Sequence, residues 1–150
     1  MGAHVSVISR SESKRASCLA MGADEFVNSS DPQNLTPLAG KFDMIINTVS
    51  AKHDIISLVN LLTFEGTMVM VGAGPDAFEF RSGPLIMQRR RIVGSLIGGI
   101  KETQEMLDFC GKHNIVCDIE LIPADKINEA YDRTIASDVK YRFVIDASTF

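Results

Sequence analysis

No stretch of this 150-residue chain is apolar for long enough to cross a bilayer. Even Leu85 to Ile100 is interrupted by Arg89-Arg90-Arg91, so a membrane span is not expected. Positive charge is also scarce: 15 Lys and Arg face 19 Asp and Glu, for a net charge of −4. A protein with that balance has no global attraction to phosphate backbones, which argues against nucleic acid as a partner. Cys18, Cys110 and Cys117 are odd in number and include no Cys-x-x-Cys pair. A disulfide framework and a zinc ribbon are both disfavoured, and reduced, cytoplasmic thiols are the simplest reading. His4, His53 and His113 lie far apart with no His-x-x-x-His spacing, so they read as surface or strand-edge residues. Met1-Gly-Ala-His-Val-Ser6 fits a myristoylation pattern, but Val5, Val7 and Ile8 continue directly into an apolar strand, which disfavours it.

What the chain does have is ordinary globular composition, 45% hydrophobic and 23% charged, arranged as short β-rich runs alternating with helical ones. That rhythm points to βαβ units on a mostly parallel sheet. Strands are expected at His4–Ser9 and Glu25–Asn28, with a helix over Ser13–Met21 stopped by Gly22. Asp31-Pro32 opens a weak helix ended by Gly40. Phe42–Val49 is apolar almost throughout, the pattern of a strand buried on both faces, and a helix over Asp54–Leu62 follows. Gly66–Gly72 and Arg91–Ile97 read as two more buried strands. Lys101–His113 is an amphipathic helix with Met106, Leu107, Phe109 and Cys110 facing inward. The rhythm then breaks: Glu120–Pro123 is short and extended, Asp125 caps a helix running to Ile135, and Tyr141–Asp146 is a last strand.

In a doubly wound sheet, ligands bind beyond the carboxyl ends of the strands. The first such end carries Ser9, Arg10, Ser11 and Lys14. A carboxylate there would accept ribose hydroxyls, whereas hydroxyls and cations suit a 2′-phosphate. The same residues also make a serine-rich helix cap with solvated charges, and composition alone leaves both readings open. Thr48 and Gly72 follow two buried strands, where a small or hydroxyl-bearing residue lets a flat cofactor approach the backbone. Ser95, Leu96 and Ile97 precede Gly98-Gly99, and their backbone could meet a nicotinamide carboxamide. Arg89-Arg90-Arg91 reads either as a phosphate or partner site or as a solvated helix end. Missing altogether is a strand followed by Gly-x-Gly-x-x-Gly about 20 residues before the ribose reader, the element that holds a pyrophosphate. Gly72-x-Gly74 lacks the third glycine and follows the wrong strand.

Taken together, Met21-Gly-Ala-Asp-Glu, Phe42-Asp through Asn47-Thr-Val49, Gly66-Thr-Met through Val71-Gly72 and Arg91 through Ser95-Leu-Ile-Gly-Gly99 resemble the zinc-dependent medium-chain alcohol dehydrogenases. Lys101–Cys110, Ile127–Tyr131 and Asp138–Val144 are similar to the NADP-dependent cinnamyl alcohol dehydrogenase branch of that family. The resemblance implies an α/β fold: an incomplete Rossmann-type doubly wound parallel sheet lacking its first strand and glycine-rich loop. It implies a truncated NADP-binding domain over residues 1–121, and a segment over 122–150 that would return to the catalytic domain. Ser9, Arg10, Ser11 and Lys14 would then hold the 2′-phosphate, Thr48 and Gly72 would line the cofactor cleft, and Ser95, Leu96 and Ile97 would meet the nicotinamide. The family's reaction is hydride transfer between NADPH and an aldehyde or alcohol, with zinc polarising the oxygen. Its zinc ligands precede the matched segment, so no catalytic or metal residue is assigned here, and the isolated chain is expected to be inactive. A homodimer is expected. A non-catalytic binding or dimerisation module and a zinc-independent quinone-reductase relative are the alternatives. Because the absent strand is central in the order 3-2-1-4-5-6, the remaining sheet should either close the gap or cover its edges by dimerising.

Overall fold

The computed structural model describes residues 2–150; the disfavoured myristoylation pattern begins at Met1, which lies outside them. Two compact units are present, one running up to Leu96 and the other spanning Ile97–Phe150.

The first unit opens with β1 (Ser6–Ser9), a 3₁₀ turn and α1 (Arg15–Ala20), then β2 (Glu25–Asn28), which pairs parallel to β1 from Ser6↔Glu25 to Ser9↔Asn28. The weak helix expected after Asp31 is two 3₁₀ turns, the first capped by the Asp31 carboxylate on the Gln33 amide. Next come β3 (Phe42–Asn47), α2 (Ile55–Leu61), β4 (Leu62–Met70), α3 (Gly83–Gln88) and β5 (Arg91–Gly94). These three strands form a second parallel sheet with β4 in the middle. Its core sits under α2, where Ile55, Val59, Leu62 and Met68 are buried together. A second cluster of Val27, Leu38 and Leu61 draws in Ile8 from β1 and Phe42 and Ile45 from β3, so both sheets share one floor.

The α2 helix forms because Asp54 caps it, accepting from the Ser57 amide at 3.1 Å and from the Ser57 hydroxyl. Those hydrogen bonds hold the Asp54 carboxyl below its ordinary pKa, the Ser57 hydroxyl contributing most. A depressed carboxylate stabilises the fold above its unfolded pKa and loses that contribution as pH falls through the folded value. Asp54→Ala is therefore expected to cost about 1 kcal/mol at neutral pH, and less in acid. Urea midpoints at both pH values check it; an undiminished loss in acid would contradict the capping role.

The sequence pattern expected β3 to be buried on both faces, and the structure corrects this: Met44 and Ile46 are 60% and 63% exposed. Only the face carrying Ile45 has α2 against it. The strand expected at Gly66–Gly72 begins earlier. Helix α2 passes into it without a loop, and the register jumps from Phe42↔Leu62 to Met44↔Thr67. Within that jump, Glu65 takes a left-handed conformation and pairs with Arg89 at 3.0 Å. The gap between the sheets does not close, since no ladder joins β1 to β3. Joining β1 to β3 would require the two strands to slide together over the packed Ile8, Phe42 and Ile45 floor.

In the second unit, α4 (Ile100–Lys112) leads to β6 (Glu120–Ile122), a 3₁₀ turn, α5 (Ile127–Ile135) and β7 (Phe143–Ile145), which pairs parallel to β6. Arg133 ties these together, bonding Glu120 at 2.7 Å and Asp138 at 3.0 Å with its guanidinium over the Phe143 ring. Two expectations fail here. Met106, Leu107 and Phe109 are exposed and only Cys110 is half-buried, because nothing within the unit covers that stripe. Asp125 does not cap α5: it lies inside the 3₁₀ turn, and Lys126 occupies the cap position without a side-chain bond.

Candidate functional site

Parallel pairing places the carboxyl ends of β3, β4 and β5 along one edge, so the loops that follow them are neighbours. The amides of Val71 and Gly72 both donate to the Asn47 carbonyl, at 3.0 and 3.1 Å, and the Ser95 amide donates to the Met70 carbonyl at 3.1 Å. Thr48, Gly72 and Ser95 are thereby brought into one row. Leu96 follows at 89% exposed, a side chain held by nothing in its unit. Ile97, equally exposed, begins the second unit and is not placed with this row.

Gly72 has a structural reason to be glycine. A Cβ there would stand 2.6 Å from the Val49 carbonyl carbon and oxygen and 2.7 Å from the Thr48 carbonyl carbon. The strand ends approach too closely for any side chain. We expect Gly72→Ala to push the 48–50 loop aside and cost about 1–3 kcal/mol. A thermal melt within error of the parent would show that the loop yields freely.

The loop after β1 gathers the other four residues. The Ser9 hydroxyl accepts from the Ser11 amide at 3.3 Å, and the Ser11 and Ser13 hydroxyls lie 2.8 Å apart. Arg10 and Lys14 are exposed, and neither forms an ion pair among the described residues. Glu12, the loop's own carboxylate, is held by Arg15 and by the Asn28 amide at 3.0 Å. Arg15, then Asn28, keeps the Glu12 carboxyl below its ordinary range. The acidic group is thus neutralised within the fold while two cations and two hydroxyls remain toward solvent, a combination suited to an anion.

The Arg89-Arg90-Arg91 run does not act as a unit. Arg89 turns back in a left-handed conformation to Glu65 and Phe64. Arg90 reaches the carbonyls of Pro84 and Asn60 at 3.4 and 3.3 Å, with its Nε buried and unpartnered, and burial pushes its pKa down. Arg91 starts β5 and is exposed.

One constellation escaped the sequence reading. Asn47 is 4% exposed, and its amide nitrogen lies 2.8 Å from His53 Nε2 and 3.5 Å from the Met70 sulfur. Its Oδ1 accepts from the Val49 amide, and His53 Nδ1 lies 2.7 Å from the Ala51 carbonyl. His53 therefore donates through Nδ1 and accepts through Nε2. Far from being a surface or strand-edge histidine, it staples the 48–53 loop to the strand end. The available signal was Asn47 itself: an amide ending an apolar strand must find partners. Beside His53 lies an open cleft of about 760 Å³ between residues 52–56 and 77–81, with Phe78 edge-on to the imidazole at 5.3 Å. None of the nine expected cofactor residues lines it.

With this geometry established, comparison with known proteins decides the family. The family model described as Zinc-binding dehydrogenase matches residues 1–112. The chain belongs to the zinc-binding dehydrogenase family. Alcohol dehydrogenase 9 of Catharanthus roseus is 54% identical over 149 residues, covering 99% of this chain and 41% of its own length. Among solved structures, a cinnamyl alcohol dehydrogenase from Sorghum bicolor superposes with a TM-score of 0.88 at 41% identity, over 96% of this chain and 41% of the other. CAD from Helicobacter pylori complexed with NADP(H) gives 0.81 at 40% identity, over 99% and 42%. The expected Rossmann-like α/β fold and the resemblance to alcohol and cinnamyl alcohol dehydrogenases are thus borne out. The chain spans about two fifths of the length of these relatives. The family's name implies zinc, but among the described residues no three His, Cys, Asp or Glu side chains come together to hold a metal. These residues do not fit zinc.

Proposed function

We propose that this zinc-binding dehydrogenase chain is an NADP-binding portion of an alcohol dehydrogenase, holding the adenosine 2′-phosphate in the loop after β1. The observation that carries the reading is the charge balance of that loop, with Glu12 neutralised by Arg15 and with Arg10 and Lys14 left for an anion. Ser9 and Ser11 add hydroxyl donors, the row of Thr48, Gly72 and Ser95 lies where a cofactor would cross the sheet edge, and Leu96 and Ile97 follow towards the nicotinamide. The bound cofactor supplies the hydride exchanged with an aldehyde or alcohol; the chain itself binds and orients it. From about Ile122 onward the chain would return to the catalytic domain. Without zinc ligands among the described residues, these 150 residues bind cofactor but do not turn over. The bound form belongs in a reducing, cytoplasmic setting, on the cysteine spacing alone.

Calorimetric titration of the 150-residue chain tests the binding. NADPH is expected to bind saturably and NADH at least about ten-fold more weakly, because a charge-assisted bond to the extra phosphate is worth more than 1.4 kcal/mol. Equal binding of the two would end the 2′-phosphate reading. Robust NADPH-dependent aldehyde reduction by the chain with added zinc would end the inactivity claim.

A second reading, a homodimerisation module, is favoured by the outer edge of β5. Among the described residues that strand pairs with β4 alone, and Val93 within it and Leu96 just after it are 41% and 89% exposed. Sedimentation at several concentrations separates the two readings: a stable dimer that binds neither cofactor supports the module.

A further inference from the structure

We infer that His53 is a positioning residue whose neutral Nδ1–H tautomer fixes the 48–53 loop, so that a second proton on the imidazole releases Thr48 from the row at the sheet edge. The tautomer is imposed from two directions. The Ala51 carbonyl, 2.7 Å from Nδ1, can only accept, so Nδ1 carries the hydrogen. Across the ring, the group 2.8 Å from Nε2 is the amide nitrogen of Asn47, which can only donate. The orientation of that amide is set independently, because its oxygen accepts from the Val49 N–H at 3.1 Å and its nitrogen also faces the Met70 sulfur at 3.5 Å. A neutral imidazole meets both partners, whereas an imidazolium turns a second N–H against the N–H of Asn47. Flipping the Asn47 amide would accept that proton, but it would then aim nitrogen at the Val49 N–H. Either way one bond of the staple is lost, and at 4% exposure Asn47 has little access to water as a replacement.

Little else holds the loop. Among the described residues, every hydrogen bond to residues 48–51 comes from the side chains of Asn47 and His53. Thr48 to Lys52 are all exposed. Gly72 leaves room for the Thr48 and Val49 carbonyls, but its own amide bonds Asn47 rather than the loop. The charged groups around the imidazole do not take up its proton. Lys52 and Asp54 flank it on the chain, and Glu79 and Arg81 line the same cleft, two of each sign. Asp54 spends its carboxylate on Ser57, and among the described residues none of the four bonds His53. Met70 and Phe78 bring no charge. The consequence for cofactor rests on the NADP reading, since Thr48 belongs to the proposed row; control of the loop by His53 does not.

Two measurements on the 150-residue chain need no cofactor. Two-bond proton–nitrogen correlation spectra should show the Nδ1–H tautomer of His53 near pH 7.5 and its conversion to imidazolium on acidification. As pH falls from about 7.5 to about 5.5, the protection factor of the Val49 amide should drop at least about ten-fold with that conversion, while amides of β4 stay protected. His53→Gln, whose side-chain oxygen can accept from Asn47 and takes no proton in this range, should keep Val49 protected at both pH values. His53→Ala should lose that protection at both. Calorimetry with NADP⁺ carries the effect to the cofactor: acid should weaken binding at least about ten-fold more in the parent than in His53→Gln, a comparison in which titration of the 2′-phosphate itself cancels. An Nε2–H tautomer at neutral pH, Val49 protection indifferent to acid, or the same acid response in parent and His53→Gln would overturn the proposal. So would a loss shared by the β4 amides, the mark of general unfolding. Failure of NADP⁺ to bind either chain would instead end the NADP reading, with the tautomer and the Val49 amide still deciding the role of His53.

Discussion

Replacing Leu62 with alanine is expected to remove about 3 kcal/mol of stability, within the range of 2–5 kcal/mol found for buried leucines. Leu62 is fully buried and stands where α2 passes directly into β4, against Val59 and Met68. It therefore anchors the helix and the central strand of the three-stranded sheet at once. The buried core is small, and a cavity at this joint has few neighbours able to relax into it. Urea unfolding followed by far-ultraviolet circular dichroism measures the loss, and amide exchange along β3, β4 and β5 should quicken together. A loss below about 1 kcal/mol would mean that the joint collapses around the smaller residue. The companion change Ile46→Ala removes as much hydrocarbon from an open face and should cost no more than about 0.5 kcal/mol.

The second large effect concerns cofactor choice, and it rests on the proposed NADP site. Arg10→Ala combined with Lys14→Ala should weaken NADPH binding about 10- to 100-fold and leave NADH binding nearly unchanged. Two fully formed charge-assisted contacts of about 1.5–3 kcal/mol each would exceed 100-fold, and exposure with salt screening brings the value down into this range. Raising ionic strength should weaken NADPH more than NADH in the parent and erase the difference in the double variant. An equal drop for both cofactors would show that the loop had been deformed rather than discharged. No change at all would remove Arg10 and Lys14 from the site. Glu12→Gln offers a contrast: with Arg15 released from its partner, the loop gains positive charge and NADPH binding should not fall.

Much of this was legible in the sequence because it depends on local patterns. Asp54 announces α2, Gly22 ends the α1 segment in a left-handed conformation, and the apolar runs at Phe42, Thr67 and Arg91 each became a parallel strand. The four-residue loop after β1 was equally readable, since Ser9, Arg10, Ser11 and Lys14 are contiguous or nearly so. Burial was less readable. An apolar residue such as Met44, Met106 or Leu107 is exposed or covered according to what packs on it, and its own sequence neighbourhood does not say. The Asn47 and His53 pair was missed for a related reason: its partner Met70 is 23 residues away, reached only through strand pairing. The sequence reads Gly72 as clearing a cofactor's path, whereas the atoms that a Cβ there would crowd belong to Thr48 and Val49.

The open seam between the two sheets of the first unit also bears on how fast the chain folds. Among the described residues, every ladder joins segments that are close in sequence. Ser6 and Glu25 are 19 residues apart, Asn47 and Met70 are 23, and the other two ladders span similar distances. Each loop closure costs a similar, modest entropy, and none must wait for a distant partner. Ladders this local put refolding of these elements towards the faster, low-contact-order end of parallel α/β domains.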